Sequence, residues 1–137
     1  MFVNQAGNMV TDPIADMLTS IRNASIARKR EAVVPYSKLK FGLAEILRGE
    51  GYVDRVEKIE DRHGSIRIVL KYDNDRPKIM HLSRVSKPGR RVYAKSDALP
   101  HVLNNYGFAI ISTPRGLMTN RVAAKERLGG EVICEVY

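Results

Sequence analysis

The distribution of hydrophobic periods along the chain is the feature that most constrains its fold. Apolar residues with helical spacing are concentrated in the first 50 residues, whereas the rest of the sequence mostly shows short strand-like runs. The first helical segment is "TDPIADMLTSIRNA", in which Asp12 is a candidate N-cap and Pro13 suits the first helical position. Its apolar face follows the i, i+3, i+4, i+7 pattern and consists of Ile14, Met17, Leu18 and Ile21.

A second helix is predicted within "YSKLKFGLAEILRGEG". Ser37 is a suitable N-cap and Gly51 a suitable C-terminal stop. The predicted apolar stripe consists of Leu39, Leu43, Ile46 and Leu47. "EAVVPY" precedes this helix and "YVDRVEKIE" and "SIRIVLKY" follow it, and all three segments read as strands.

The second half of the sequence predicts further strands and one short helix. The strands are "IMHLSRVS", "RRVYA", "FAIIST" and "EVICEVY"; the helix is "TNRVAAKER", capped by Thr119 and ended at Gly129-Gly130. The polar, proline-containing segment "DNDRP" at 73–77 predicts a domain boundary. We therefore expect an α+β protein with an N-terminal extension or flexible start (1–10), an α/β domain with two helices on a small sheet (11–75), and a mostly β domain with a short helix (76–137).

Positive charge is unevenly distributed along the chain. The 137 residues carry a formal net charge of +8. Residues 1–75 contain 12 Lys and Arg against 11 Asp and Glu, whereas residues 76–137 contain 11 against 4, so the excess lies in the second half. This concentration indicates a polyanionic partner bound by the C-terminal part.

Signals for catalysis, metal binding or membrane insertion are weak. His63, His81 and His101 lie in different predicted elements, without the spacing of a triad or metal site. The lone Cys134 reads as a small buried hydrophobe, and no phosphate-binding glycine motif occurs. No apolar run approaches the roughly 18 residues of a membrane span, and no secretory signal is visible. We expect a cytoplasmic protein that is not an enzyme and has no cofactor, metal, membrane partner or small-molecule substrate.

Two segments favour binding to nucleic acid. In "SRVSKPGRRVYA", a Pro-Gly turn places Lys87 and Arg90 where they can reach phosphates, with Arg91 beside them, and Tyr93 offers a ring for stacking. The alternative is a solvated basic hairpin with Tyr93 packed in the core.

The second segment is "FAIISTPRGLMTNR". It combines two hydroxyl groups, a stiff proline, a guanidinium and a glycine that lets a ligand approach the backbone: Ser112, Thr113, Pro114, Arg115 and Gly116. Thr119 then opens a helix whose N-terminus favours anions. The alternative is an ordinary strand-to-helix loop.

The whole chain resembles the bacterial small-subunit ribosomal protein eight family, the universal S-eight family. The blocks that carry the resemblance are "TDPIADMLTSIRNA", "RVSKPGRRVY" and "GFAIISTPRGLMTNRVAAKERLGGEVICEVY". The resemblance implies a two-domain constituent of the small (30S) ribosomal subunit. It would bind the central domain of 16S ribosomal RNA directly and help to assemble the platform, near neighbours such as protein five. A further possibility is repression of its own operon through a messenger hairpin that mimics the ribosomal site.

The resemblance also implies roles for particular residues. The family's Ser-Thr-Ser-x-Gly loop enters an RNA minor groove; Ser112, Thr113 and Gly116 match it, whereas Pro114 replaces the second serine. Glu131 and Tyr93 match positions at or near the RNA, and the Glu131 carboxylate would accept hydrogen bonds from the RNA or orient Arg115. A secondary RNA contact in the first domain would comprise Thr11, Asp12 and Lys38.

Overall fold

The computed structural model describes residues 2–3, 9–10 and 12–137. Strands β1 (Phe2–Val3) and β2 (Met9–Val10) form an antiparallel pair. Thr11, part of the predicted secondary RNA contact, lies outside the described residues.

The first two helices begin as the sequence predicts. Helix α1 (Pro13–Ile26) starts at the expected proline, and the Asp12 Oδ1 atom accepts a 3.3 Å hydrogen bond from the Ala15 N–H. Helix α2 (Lys38–Gly49) is capped by the Ser37 hydroxyl, which accepts from the Lys40 N–H at 3.1 Å. Gly51 ends α2 with a φ of 80°, a backbone conformation that glycine adopts without steric cost.

The buried face of α2 differs from the predicted apolar stripe. Leu43 and Leu47 are fully buried, but Leu39 is 44% exposed and Ile46 is only partly buried. Lys40 is buried on this face instead. A long lysine stem can cover apolar surface, so a pattern based on hydrophobic residues alone misplaces the helix face by one position.

The first half also contains a three-stranded antiparallel sheet. Its strands are β3 (Glu31–Pro35), β4 (Val53–Ile59) and β5 (Ser65–Leu70), in the order β3-β5-β4. Ile66 and Ile68 of the central strand are fully buried. The polar segment at 73–77 is the tip of a small hairpin formed by β6 (Tyr72–Asp73) and β7 (Arg76–Pro77). Asn74 and Asp75 turn its chain with positive φ angles of 51° and 65°.

The second half forms a five-stranded sheet around a central strand. The strands are β8 (Leu82–Arg84), β9 (Tyr93–Ala94), β10 (Phe108–Thr113), β11 (Gly116–Thr119) and β12 (Gly130–Val136). Their order is β11-β10-β12-β8, and β9 also pairs with β12. Helix α3 (Asn120–Lys125) and a short 3₁₀ turn (Leu103–Asn105) complete this part. Its core includes Leu99, Val102, Ala109, Ile111, Ala123 and Val132. The α+β class with a mostly β C-terminal part is confirmed.

The end of α3 requires a correction. The sequence predicts a stop at Gly129-Gly130, but α3 ends at Lys125 and Arg127 adopts the positive φ of 58° at its end. Gly129 and Gly130 serve strand packing instead. A Cβ atom at Gly130 would lie 2.0 Å from the Ser112 carbonyl oxygen, and one at Gly129 would lie 2.5 Å from that of Ala94.

Contacts divide the chain into two compact units. One combines Met1–Asp16 with Ser83–Tyr137, and the other is Met17–Leu82. The sequence places its domain limits at 10 and 75. The predicted division into residues 1–10, 11–75 and 76–137 stays a prediction.

Candidate nucleic-acid interface

Three predicted site residues lie in one row across the sheet of the second half. Ser112 on β10 is directly opposite Glu131 on β12, which is in turn opposite Tyr93 on β9. Directly opposed residues project from the same face of a sheet, so these three share a face. Ser112 and Glu131 are half-buried, whereas Tyr93 is 70% exposed, which rules out the alternative that Tyr93 packs in the core. Strand pairing thus brings together residues that lie up to 38 positions apart in the sequence.

Glu131 is held in place by two donors. Its Oε2 atom accepts a 2.5 Å hydrogen bond from the Ser86 hydroxyl and pairs with Arg91 Nη1 at 3.2 Å. Ser86 is fully buried and its hydroxyl oxygen accepts from the Val92 N–H at 3.1 Å. Both contacts use Oε2, and Oε1 has no partner among the described residues. Of the two roles expected for Glu131, the orienting one applies to Arg91 rather than Arg115.

The basic turn of residues 87–90 begins and ends beside Glu131. Lys87 and Arg90 exchange two backbone hydrogen bonds of 3.0 and 2.9 Å, which close the turn around Pro88-Gly89. The side chains of both residues are exposed and make no ion pair or hydrogen bond within the described part of the chain. The flanking residues Ser86 and Arg91 are the donors to Glu131, so this carboxylate fixes the base of the turn.

The hairpin between β10 and β11 replaces the loop that the sequence predicts. Thr113 pairs with Gly116, so Pro114 and Arg115 form a two-residue tip, and Gly116 has a φ of 108°. Pro114, Arg115 and Gly116 are exposed, and a Cβ atom at Gly116 would meet no atom within 4 Å. The strand β11 escaped prediction because its four residues, "GLMT", run directly into a helix cap.

The Thr113 hydroxyl has a structural role. It donates a 2.9 Å hydrogen bond to the Gly116 carbonyl and accepts one of 3.1 Å from the Arg115 N–H. Thr113 is only 8% exposed, so its hydroxyl stabilises the hairpin tip from the buried side. Ser112, by contrast, makes no side-chain hydrogen bond in the described structure and lies beside Glu131.

Thr119 and Asp12 are also engaged within the protein. The Thr119 hydroxyl caps α3 by accepting from the Val122 N–H at 3.3 Å, and Thr119 is buried. The Asp12 carboxylate is buried against Arg84, with 3.0 Å between Oδ2 and Nε. Both side chains therefore make contacts within the fold. That Thr119 and Asp12 also contact RNA stays a prediction. Lys38, the remaining member of the secondary contact, is exposed at the start of α2 in the other unit.

Residues 12–137 and the two short strands before them contain no group of three or more His, Cys, Asp or Glu positioned to hold a metal ion. No helix in the described part is long and apolar enough to cross a membrane.

Fold and surface define a small α+β protein that displays exposed cations, a hydroxyl and an aromatic ring on one sheet. Comparison with known sequences identifies the family. The family model described as "Ribosomal protein S8" matches residues 12–137. The "Small ribosomal subunit protein uS8" of Caldanaerobacter subterraneus subsp. tengcongensis is 53% identical over 131 residues, covering 94% of this chain and 99% of the relative. The protein of the same name from Anaeromyxobacter sp. (strain Fw109-5) is 53% identical over 129 residues, covering 93% and 98%. The one from Limosilactobacillus reuteri (strain DSM 20016) is 50% identical over 130 residues, with the same coverage. The chain belongs to the ribosomal protein S8 family.

Proposed function

We propose that this protein is a structural constituent of the small ribosomal subunit and binds 16S ribosomal RNA directly through the sheet of its second half. The observation that carries the proposal is the row of Ser112, Glu131 and Tyr93, bordered by the basic turn of residues 87–90 and the hairpin tip of residues 114–116. The names of its relatives and the concentration of positive charge after residue 75 support the same function.

The parts of the proposed RNA-binding surface suit different chemical groups of an RNA. Lys87, Arg90 and Arg115 are exposed cations suited to phosphate oxygens, which supply affinity without reading sequence. Ser112 and the Oε1 atom of Glu131 suit ribose 2′-hydroxyls and base edges in a shallow RNA minor groove. The exposed Tyr93 ring suits an unstacked base.

The pairing of Glu131 explains how a carboxylate is tolerated beside a polyanion. Arg91 Nη1 lies 3.2 Å from Oε2 and offsets the negative charge, while the Ser86 hydroxyl fixes the carboxylate orientation. One carboxylate oxygen then remains as an oriented acceptor for RNA donors. We infer that Glu131 contributes selectivity, and that the exposed cations contribute affinity.

The test is binding of the full chain to a transcript of the 16S central domain, measured by titration from 50 to 200 mM salt. Lys87→Ala and Arg90→Ala should each reduce the slope of log affinity against log salt by about one. Lys71→Ala is the matched control, because Lys71 is an exposed lysine of the other unit, outside the proposed surface. Equal effects of Lys71→Ala and Lys87→Ala would refute the assignment of this surface.

We further propose that the RNA site lies in the platform region of the subunit, near protein five, and that the same surface represses the protein's own operon by binding a messenger hairpin. Both RNAs would then compete for one site. A competition titration between the central-domain transcript and the operon leader tests this, and failure of the leader RNA to compete would eliminate repression. A footprint of the pure protein on 16S ribosomal RNA tests the location.

A further inference from the structure

Within the described residues, each of the three α-helices is followed by a residue in the left-handed backbone region. The φ angles are 57° at Arg28 after α1, 80° at Gly51 after α2 and 58° at Arg127 after α3. At the end of α3, the Arg127 N–H donates to the Ala124 carbonyl at 3.1 Å and the Leu128 N–H to the Ala123 carbonyl at 2.8 Å. Glycine is the usual residue at this position, because a side chain there costs free energy. Two of the three helices have an arginine instead.

The two arginines differ in what their side chains do. Arg28 Nη1 donates a 2.7 Å hydrogen bond to the Asp75 carbonyl, so its guanidinium contributes to the fold. Arg127 is exposed, and its guanidinium has no hydrogen bond or ion pair in the described structure. A strained residue without an internal contact points to a role outside the fold.

Arg127 lies two residues before Gly129, whose backbone approaches the Tyr93 end of the row. A Cβ atom at Gly129, two residues later, would be 3.0 Å from the Lys95 Cα atom and 2.5 Å from the Ala94 carbonyl oxygen. The connection from α3 to β12 therefore packs against the end of β9, directly after Tyr93-Ala94. Lys95 is exposed there and, like Arg127, makes no side-chain hydrogen bond or ion pair in the part of the chain that the structure describes.

We propose that Arg127 and Lys95 form a second phosphate-contacting group, which extends the RNA-binding surface past Tyr93. The inference rests on the proposed function and adds two residues to it. A phosphate backbone fits these residues better than an acidic protein segment, because they continue a surface whose other exposed cations flank Ser112 and Glu131. The left-handed conformation of Arg127 then lowers the stability of the fold, while its guanidinium raises the affinity for RNA.

Arg127→Gly and Arg127→Lys separate this role from a structural one. Arg127→Gly removes the charge and relieves the backbone, so we expect a higher urea midpoint together with weaker binding to the 16S central-domain transcript. The disadvantage of this variant should shrink by about threefold between 50 and 200 mM salt, as expected for loss of one phosphate contact. Arg127→Lys keeps the charge and should retain most of the affinity. Lys95→Ala should weaken binding with the same salt dependence.

Arg28→Gly is the matched control, because it changes the corresponding residue at the end of α1. It should leave the salt dependence of RNA binding unchanged. If Arg127→Gly binds the transcript as tightly as the original chain at every salt concentration, the inference is overturned. A variant that binds normally but is less stable would show, in addition, that Arg127 stabilises the end of α3. If the original chain fails to bind, or if Lys87→Ala has no effect, the proposed function itself fails.

Discussion

Ser112 and Thr113 are adjacent hydroxyl residues with different surroundings. Thr113 is 8% exposed and its hydroxyl links the Gly116 carbonyl to the Arg115 N–H across the hairpin tip. Ser112 lies on the opposite face of β10, beside Glu131, and its hydroxyl makes no hydrogen bond within the described residues. Adjacent residues of a strand point to opposite faces, which explains why the two neighbouring hydroxyls have different surroundings.

We predict that Ser112→Ala weakens RNA binding with little effect on stability, whereas Thr113→Val lowers the stability of the hairpin tip. Ser112→Ala should change the free energy of unfolding by less than about 0.5 kcal/mol, as surface changes usually do. It should weaken binding to the central-domain transcript by about two- to tenfold, the effect of one lost hydrogen bond. Thr113→Val removes both hydrogen bonds of the tip and should lower the free energy of unfolding by about 1–3 kcal/mol.

Urea unfolding and RNA titration of the same preparations check both variants. Thr113→Ser keeps the hydroxyl and is the control for the tip. Normal RNA binding by Ser112→Ala would show that its hydroxyl does not contact the RNA.

Cys134 gives a prediction about pH. Burial raises the pKa of its thiol from 9.0 to about 12. Between these values the thiol ionises in the unfolded chain but not in the folded protein, so its contribution to stability is complete below pH 9 and is lost as the pH rises. The loss approaches about 1.4 kcal/mol per pH unit. The free energy of unfolding should therefore fall more steeply from pH 9 to 10.5 in the original chain than in Cys134→Val. Equal slopes would contradict a buried, protonated thiol.

At the scale of elements, local signals were sufficient where a residue determines backbone geometry. Asp12, Ser37 and Gly51 mark helix limits as expected, and the predicted strand "FAIIST" coincides with β10. Local signals failed where packing decides. Gly129-Gly130 reads as a helix stop, yet α3 ends earlier because Arg127 adopts the left-handed conformation that glycine usually supplies.

The sequence predicts which residues contribute to the candidate site, but only part of what each residue does there. The sequence identifies Ser112, Tyr93 and Glu131, but their alignment in one row depends on strand register, which no local pattern determines. Ser86 was missed, because a buried serine that fixes a carboxylate has no sequence signature. The burial of Asp12 likewise depends on Arg84, which lies 72 residues away.

Close approach of strands at Gly130 gives a prediction for the central element, β12. An added Cβ atom would lie 2.0 Å from the Ser112 carbonyl oxygen, a backbone atom that cannot move alone. Gly130→Ala should lower the free energy of unfolding by about 2 kcal/mol or more. Gly89→Ala is the control, because a Cβ atom there meets nothing within 4 Å, and it should be neutral in stability. A urea midpoint for Gly130→Ala equal to that of Gly89→Ala would refute the packing of β12 against β10.

At the scale of the whole molecule, the unit that carries the candidate site is discontinuous in sequence. It combines the first 16 residues with the chain from Ser83 onward. The Asp12 and Arg84 side chains connect these two stretches, with 3.0 Å between Oδ2 and Nε and with 4% and 7% of their surfaces exposed. Arg84 Nη1 also donates to the Ile133 carbonyl at 2.9 Å, which links the pair to the central strand. A buried ion pair of this kind holds the start of α1 to the sheet.

We predict that breaking this pair is among the most destabilising single changes in the chain. Asp12→Asn keeps an oxygen that can cap α1 but leaves the Arg84 charge buried without a counterion, so the free energy of unfolding should fall by about 3 kcal/mol or more. Asp16→Asn is the control, since Asp16 is an exposed carboxylate in the first turn of the same helix, and its loss should cost less than about 1 kcal/mol. The double variant Asp12→Asn, Arg84→Met should recover part of the loss, because it removes the unpaired charge. Equal urea midpoints for Asp12→Asn and Asp16→Asn would show that the pair does not hold the two stretches together.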